Sequence, residues 1–588
     1  MSELRVAVDA GGTFTDVCIY NSSTQEFRVT KVPSTPNNPM QAVINGVKRG
    51  EIQLADVDLF FHGTTVATNA LITRRFPKAS LVTTKGFRDV IEIRDGTKDN
   101  LWDAYADVSG PYIRRRDRFE VTERVDYAGE IVTPLDEQEA RELARKLKRR
   151  GTTTIAVCFI NSYANVHNEQ RMRQILEEEI PGANVSTSSE ILPEIFEHDR
   201  FNTAVANTVL GPLVSEYVKQ LDDELTAGGY ANDLLLLHSG GGSMTPAMAK
   251  HFPVRLAASG IAAGAIAAKH IAEQCGYQNA VGLDMGGTST DISLIHDGEL
   301  RVTKQWGVEY GHPIVFPSIE VLTIGAGGGS LAHIDIAGAL RNGPQSAGAD
   351  PGPACYERGG EEPTNTDANL ALNRLGVSLA GGALELNQDK ATRAIKEKIG
   401  QPLSLETAEA AQAILKVANS NMADAVRLVS IRRGLDPRDF ALIAFGGAGA
   451  LHGAEVAREL GIPAVIVPPN PGVTSAMGCL LVDIQHDLSM MYTAAAAHAD
   501  TDDLEQQFLG LEEEAAERLR HEGVADEDVV LQRGISMRYQ GQWRSLQVSM
   551  KKGADSLKEA MEKKDERIND LLSQFTDGPP KKTRKKAA

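Results

Sequence analysis

An α/β protein built on an internally duplicated core is predicted by three features of the 588-residue sequence. The segment RVAVDAGGTFTDVCIY at 5–20 returns as AVGLDMGGTSTDISLI at 280–295. Each copy sets a Gly-Gly turn between two runs of β-type residues, the pattern of a β-hairpin. A further glycine cluster, Gly446-Gly447-Ala448-Gly449, closes the short apolar run 440–445 and opens a helical pattern that stops at Gly461 and Pro463.

The repeat carries the chemistry. Asp9, Gly11, Gly12, Thr13, Thr15 and Asp16 align with Asp284, Gly286, Gly287, Thr288, Thr290 and Asp291. A lone Gly-Gly between strands is ordinarily only a turn, but two copies agreeing at all these positions ask for a shared task. Glycines let backbone N–H groups approach phosphate oxygens and adopt positive φ. The hydroxyls of Thr13, Thr15, Thr288 and Thr290 can donate to the same oxygens. Asp9 and Asp284, closing the first strand of each hairpin, would repel a polyphosphate unless Mg²⁺ lies between. They are the candidate catalytic and metal-binding residues. Asp16 and Asp291 either belong to the nucleotide site or fix the turns by accepting backbone N–H bonds. A Walker loop differs, because its glycine-rich turn opens a helix and carries a lysine. Two facing hairpins would clamp one triphosphate, while Gly446, Gly447 and Gly449 offer a helix N-terminus to the nucleoside and α-phosphate. ATP and Mg²⁺ are therefore the expected cofactors, and the expected core is a duplicated, actin-like ATPase of the actin/sugar kinase/Hsp70 type.

The remaining elements follow in order. His62, after the apolar run 59–61, reads first as a structural residue at a strand end. It is also the leading histidine for general acid–base catalysis. The segment 73–135, with Trp102, Tyr105, Tyr112 and the run Arg114–Arg116, reads as a solvated loop or a substrate-side insertion. Helices are expected over 136–150, with Leu143 and Leu147 inward, over 406–433, and over 503–521 after a linker at 494–497. The loop Gly325–Ser330 either lines the cleft or makes a tight passage out of a strand. Asp367 and Asn369 cap a helix or meet substrate. Cys355 shows no sequence sign of activation. Three regions result: 1–200 with the first hairpin, 201–490 with the second hairpin and the nucleoside loop, and 500–588 with a shortened C-terminal domain and a basic tail.

Composition excludes several classes. The formal charge of −18 disfavours attraction to nucleic-acid backbones. The lysine-rich stretch 581–586 reads as a solvated tail, with a nucleic-acid or targeting role as the lesser alternative. No run approaches a membrane span, and the first residues lack the pattern of a signal peptide. Five scattered cysteines form no Cys-x-x-Cys pair, which fits the cytoplasm.

Eight segments together resemble the hydantoinase/oxoprolinase family, in particular its ATP-binding, N-methylhydantoinase A-like subunit. They are DAGGTFTD at 9–16, HGTTVATNA at 62–70, DMGGTSTDIS at 284–293, TIGAGGGS at 323–330, GPQSAGADPGPACY at 343–356, PTNTDANL at 363–370, FGGAGALH at 445–452 and PPNPGVTSAMG at 468–478. The resemblance implies ATP-dependent phosphorylation of the carbonyl oxygen of a cyclic amide such as a hydantoin, oxoproline or lactam. It also implies a small-molecule substrate, hydrolysis of the activated species, and a hydantoinase B-type partner subunit. The alternative within the family is the ATP-using subunit of an acetone- or acetophenone-type carboxylase; a small-molecule kinase stands further off. The sequence departs from the family pattern at Ile261, at Glu357, and in a C-terminal region that reads as short.

Overall fold

The computed structural model describes residues 4–563, apart from 12–13, 36–37, 99, 107, 380–381, 383, 540–541, 543–544, 554–558 and 561–562. The chain divides into two compact units, 1–485 and 486–588.

The first unit holds two sheets of matching topology. In one, the antiparallel pair Leu4–Ala10 and Phe14–Asn21 is extended by Glu26–Pro33 on one side and by Leu59–Thr64, parallel, on the other. Leu234–Leu237 and Ser243–Met244 complete it. In the second, Ala280–Met285 and Thr290–His296 form the antiparallel pair, and Ala441–Phe445 and then Ala464–Ile466 add in parallel. Val321–Ile324 lies on the outer edge of Thr290–His296. The duplication thus extends from the repeated loops to the strand order around them.

Alternating apolar residues explain both sheets. Val6, Val8, Val17, Phe60 and Leu236 share one core with Leu210, Val214 and Leu221 of the long helix Glu197–Ala227. Val281, Leu283, Ile292 and Leu442 share another with Met422 and Val426 of the helix Thr407–Val429 and Val456 of the helix Gly446–Leu460. The helix expected over 406–433 opens with a capping box of Glu406 and Glu409 and gives way after Val429 to a 3₁₀ turn ending at Gly434, whose φ is +80°. The helix expected at 136–150 spans Glu137–Arg149, with Leu143 and Leu147 buried.

The segment 73–135 is neither a solvated loop nor a simple insertion. It supplies Ala79–Thr84 and Arg118–Val121 to a parallel four-stranded sheet completed by Thr154–Cys158 and Asn184–Thr187. Trp102 and Tyr105 are exposed, whereas Tyr112 packs edge-on to Phe76 and beside His312. The boundary expected at 200 falls inside the continuous helix Glu197–Ala227, and the first sheet draws its last strands from beyond it.

In the second unit, Asp500 caps the helix Thr501–His521, and Arg533–Met537 pairs with Leu546–Met550. The buried Arg533 guanidinium binds Glu505 at 2.6 Å and Glu512 at 2.8 Å. The lysine-rich stretch 581–586 lies outside the described residues. Among the described residues no helix is long and apolar enough to cross a membrane.

Candidate active site

The hairpin turns close alike. Gly11 N–H donates to Phe14 O at 3.1 Å, and Gly286 N–H to Ser289 O at 3.0 Å. Gly12 and Thr13 lie outside the described residues. Gly287 and Thr288 are exposed at the tip of the second turn, where a ligand can reach them.

Pairing register sets the carboxylates. Asp9 stands directly opposite Asp16, and Asp284 directly opposite Asp291. Like charges facing each other across an antiparallel pair repel, and here the two pairs also act on each other. The Asp9 carboxyl is pushed up to about 7 by burial, then by Asp16 and Asp284. Asp284 rises to about 6 through burial, and Asp291 to about 7 through burial and Asp284. Asp16 rises through burial against the pull of Lys31. The repeated loops have therefore brought four carboxylates into one cluster.

Their partners differ. Asp16 is ion-paired with Lys31 at 2.6 Å, Asp291 accepts from the Thr323 hydroxyl at 2.5 Å, and Asp284 accepts from Ser475 Oγ at 2.8 Å. Among the described residues Asp9 Oδ1, which is buried, has no hydrogen-bond partner. A buried, unpaired carboxylate oxygen is costly unless a cation or proton meets it. Glycines make room around both metal candidates. A Cβ at Gly63 would stand 2.8 Å from Asp9 Oδ1, one at Gly260 3.2 Å from it, and one at Gly264 3.1 Å from Asp284 Oδ2. Gly260 and Gly264 are one turn apart on the helix Ser259–Gln274, so a single helix touches both carboxylates. Ser475 belongs to the short helix Thr474–Cys479, whose Gly478 packs directly on the Ala263 carbonyl of that same helix.

Among the described residues no group of three or more His, Cys, Asp or Glu is arranged to hold a metal. Mg²⁺ takes one or two carboxylates and completes its shell with water and phosphate oxygens. Asp9 and Asp284 fit that requirement.

The glycine cluster 446–449 adjoins the second hairpin. Gly446 has φ +82°, and a side chain there would collide with Asp284 Oδ1. Gly449 packs on Leu283 O, whereas Gly447 faces open space. The helix Gly446–Leu460 begins with no side-chain cap, so its first N–H groups remain free for an anion.

Three expectations need correction. His62 is fully buried: its Nδ1–H donates to Val8 O at 3.0 Å, and its Nε2 accepts from Tyr217 OH at 2.6 Å. Burial lowers its pKa to about 4, so it is a neutral core residue that cannot reach a substrate. Thr15 and Thr290 are also fully buried. Thr15 shares a hydrogen bond with Ser34, whose hydroxyl donates to Gly11 O, and Thr290 donates to Ala326 O. Both hydroxyls therefore brace the hairpins instead of meeting phosphate.

Other residues find structural places. Asp367 makes a capping box with Thr364 and also accepts from Cys355 N. Asn369 joins His452 inside the core. The loop Gly325–Ser330 is a brace: Gly328 N donates to Gly286 O at 3.0 Å and Gly329 N to Gly287 O at 2.7 Å. A Cβ at Gly327 would lie 2.6 Å from the Thr288 backbone. Sequence reasoning missed Lys31 and Ser475; only strand register and the late helix bring them to the carboxylates.

Comparison with known proteins agrees with this architecture. Family models for the hydantoinase/oxoprolinase N-terminal region, the hydantoinase/oxoprolinase domain and the C-terminal domain match residues 5–180, 200–488 and 492–577. The chain belongs to the hydantoinase/oxoprolinase family. It is 35% identical to the caprolactamase subunit alpha of Pseudomonas jessenii, over 93% of this chain and 80% of that one. It is 34% identical to the acetophenone carboxylase gamma subunit of Aromatoleum aromaticum, over 91% of this chain and 77% of that one. The crystal structure of the ATP-dependent caprolactamase from Pseudomonas jessenii superposes with a TM-score of 0.86 at 34% identity, covering 96% of this chain and 84% of that one. The C-terminal match extends over the region that the sequence reads as shortened.

Proposed function

We propose that the chain uses ATP and Mg²⁺ to phosphorylate the carbonyl oxygen of a cyclic amide, of hydantoin, oxoproline or lactam type, for hydrolysis with a hydantoinase B-type partner subunit. The observation that carries the ATP part is the pair of facing hairpins, with four carboxylates in one cluster and an unpartnered Asp9 oxygen. The cyclic-amide part rests on the similarity to a caprolactamase subunit. Mg²⁺ held by Asp9 and Asp284 would neutralise phosphate charge and orient the transferred group. The chain's own residues do the rest. Backbone N–H groups of the turn at 286–288 would face the phosphates, and Thr288 would add a hydroxyl. Gly446, Gly447 and Gly449 give the nucleoside side an uncapped helix start. Ser475 and Lys31 hold Asp284 and Asp16 in place. Asp16 and Asp291 complete the cluster from the facing strands. Five unpaired cysteines support work in the cytoplasm.

A second reading is the ATP-using subunit of an acetone- or acetophenone-type carboxylase, favoured by an identity to the acetophenone carboxylase subunit nearly equal to that for caprolactamase. ATP turnover with Mg²⁺ is measured against hydantoins, lactams and ketones, with and without bicarbonate. Stimulation by a cyclic amide independent of bicarbonate is expected. Bicarbonate-dependent stimulation by a ketone selects the second reading, and failure to bind nucleotide rejects both.

A further inference from the structure

The hairpins match in backbone and in carboxylate pairs but not in charge balance. On the outer edge of the first, Asp16 stands opposite Lys31; on the outer edge of the second, Asp291 stands opposite Thr323. One copy therefore carries a cation where the other carries a neutral hydroxyl. Lys31 Nζ lies 2.6 Å from Asp16 Oδ1, 2.9 Å from Gly472 O and 5.2 Å from the centre of the Phe14 ring. Its charge opposes the rise of the Asp9, Asp16 and Asp284 carboxyls. The Gly472 carbonyl sits two residues before the helix Thr474–Cys479, whose Ser475 holds Asp284. One ammonium thus ties the first hairpin to the element that positions the second.

We infer that Lys31 is a positioning residue serving as a built-in second cation, which restricts the carboxylate cluster to one divalent ion per nucleotide. The inference rests on reading the hairpins as a metal–nucleotide site. Carboxylates directly opposite on paired strands have Cβ atoms about 4.5–5.5 Å apart. Such a pair beside a polyphosphate is the setting in which two metal ions, about 3.5–4 Å apart, can share phosphate oxygens. Lys31 neutralises Asp16 while it also binds the Gly472 carbonyl, so Asp9 is left to the single ion. Without the ammonium, Asp9 and Asp16 face each other uncompensated, and a second divalent ion is the available neutraliser.

The test counts metal ions. The full chain is mixed with a non-hydrolysable ATP analogue and titrated with Mn²⁺, and free Mn²⁺ is read by electron paramagnetic resonance. Wild type and Lys31→Arg are expected to bind one Mn²⁺ per chain, and Lys31→Met two. Lys31→Gln, which keeps an N–H donor for Asp16 and the Gly472 carbonyl but no charge, is also expected to bind two and stands in if Lys31→Met does not fold. A single Mn²⁺ with unchanged Kd in the folded neutral variants overturns the inference while leaving the nucleotide site intact. A wild type that binds no Mn²⁺ with the analogue overturns the metal–nucleotide reading, and this inference with it.

Discussion

Replacing Asp9 by Asn should stabilise the ligand-free protein while abolishing its binding of metal and nucleotide. The wild-type carboxyl is held near 7, against an ordinary value of 3.8, by burial and by Asp16 and Asp284. The folded chain therefore holds this proton more tightly than the unfolded chain does. The resulting stability is full below about pH 4 and is lost as pH rises through about 7. At pH 8 an ionised Asp9 costs the folded state at most about 4 kcal/mol, at 1.36 kcal/mol for each tenfold change in proton affinity. Relaxation of the cluster reduces that to roughly 1–3 kcal/mol. Asn is neutral throughout and keeps nearly the same volume. Urea unfolding in the presence of EDTA should therefore show Asp9→Asn with the higher midpoint at pH 8 and no advantage at pH 4. Isothermal titration with Mg²⁺ and ATP should show binding lost. A variant less stable than wild type at pH 8, or a difference that ignores pH, would refute the account of the cluster as a strained, cation-seeking site.

Two further outcomes follow from the same geometry. Gly446→Ala places a methyl group against Asp284 Oδ1 at a residue with φ +82°, so it should cost about 1–3 kcal/mol of stability and weaken nucleotide binding, measured by thermal unfolding and titration. His62→Gln leaves Tyr217 OH and Val8 O with altered partners in the core and should cost about 1–3 kcal/mol. The pH profile of ATP turnover in the folded fraction should stay unchanged, because His62 transfers no proton; a displaced profile would restore it as an acid–base group.

The repeated loops were legible because phosphate chemistry limits residue type and spacing together. Their hairpin pairing followed, since each loop needs strands on both sides, whereas the order of the flanking strands had no local signal. The helices at 137–149 and 407–429 were legible from one-sided apolar spacing. The helix Glu197–Ala227 was not, because it is buried nearly all round from His198 to Gly211 and shows no amphipathic period. The parallel layer containing Ala79–Thr84 was hidden by the polar connection that separates its strands. Within the site, glycines and first-strand aspartates could be read from the repeat. The opposite fates of Thr288 and Thr290 depend on which face of the hairpin each occupies once the turn has closed. Lys31 and Ser475 reach the carboxylates from positions 15 and 191 residues away from their partners, a distance no local pattern spans.

The helix Ser259–Gln274 meets Asp9 through Gly260 and Asp284 through Gly264, about 6 Å apart along its axis. It acts as a fixed gauge between two carboxylates contributed by distant parts of the chain. A bulkier residue at 260 or 264 would displace one carboxylate relative to the other and put the pair out of step.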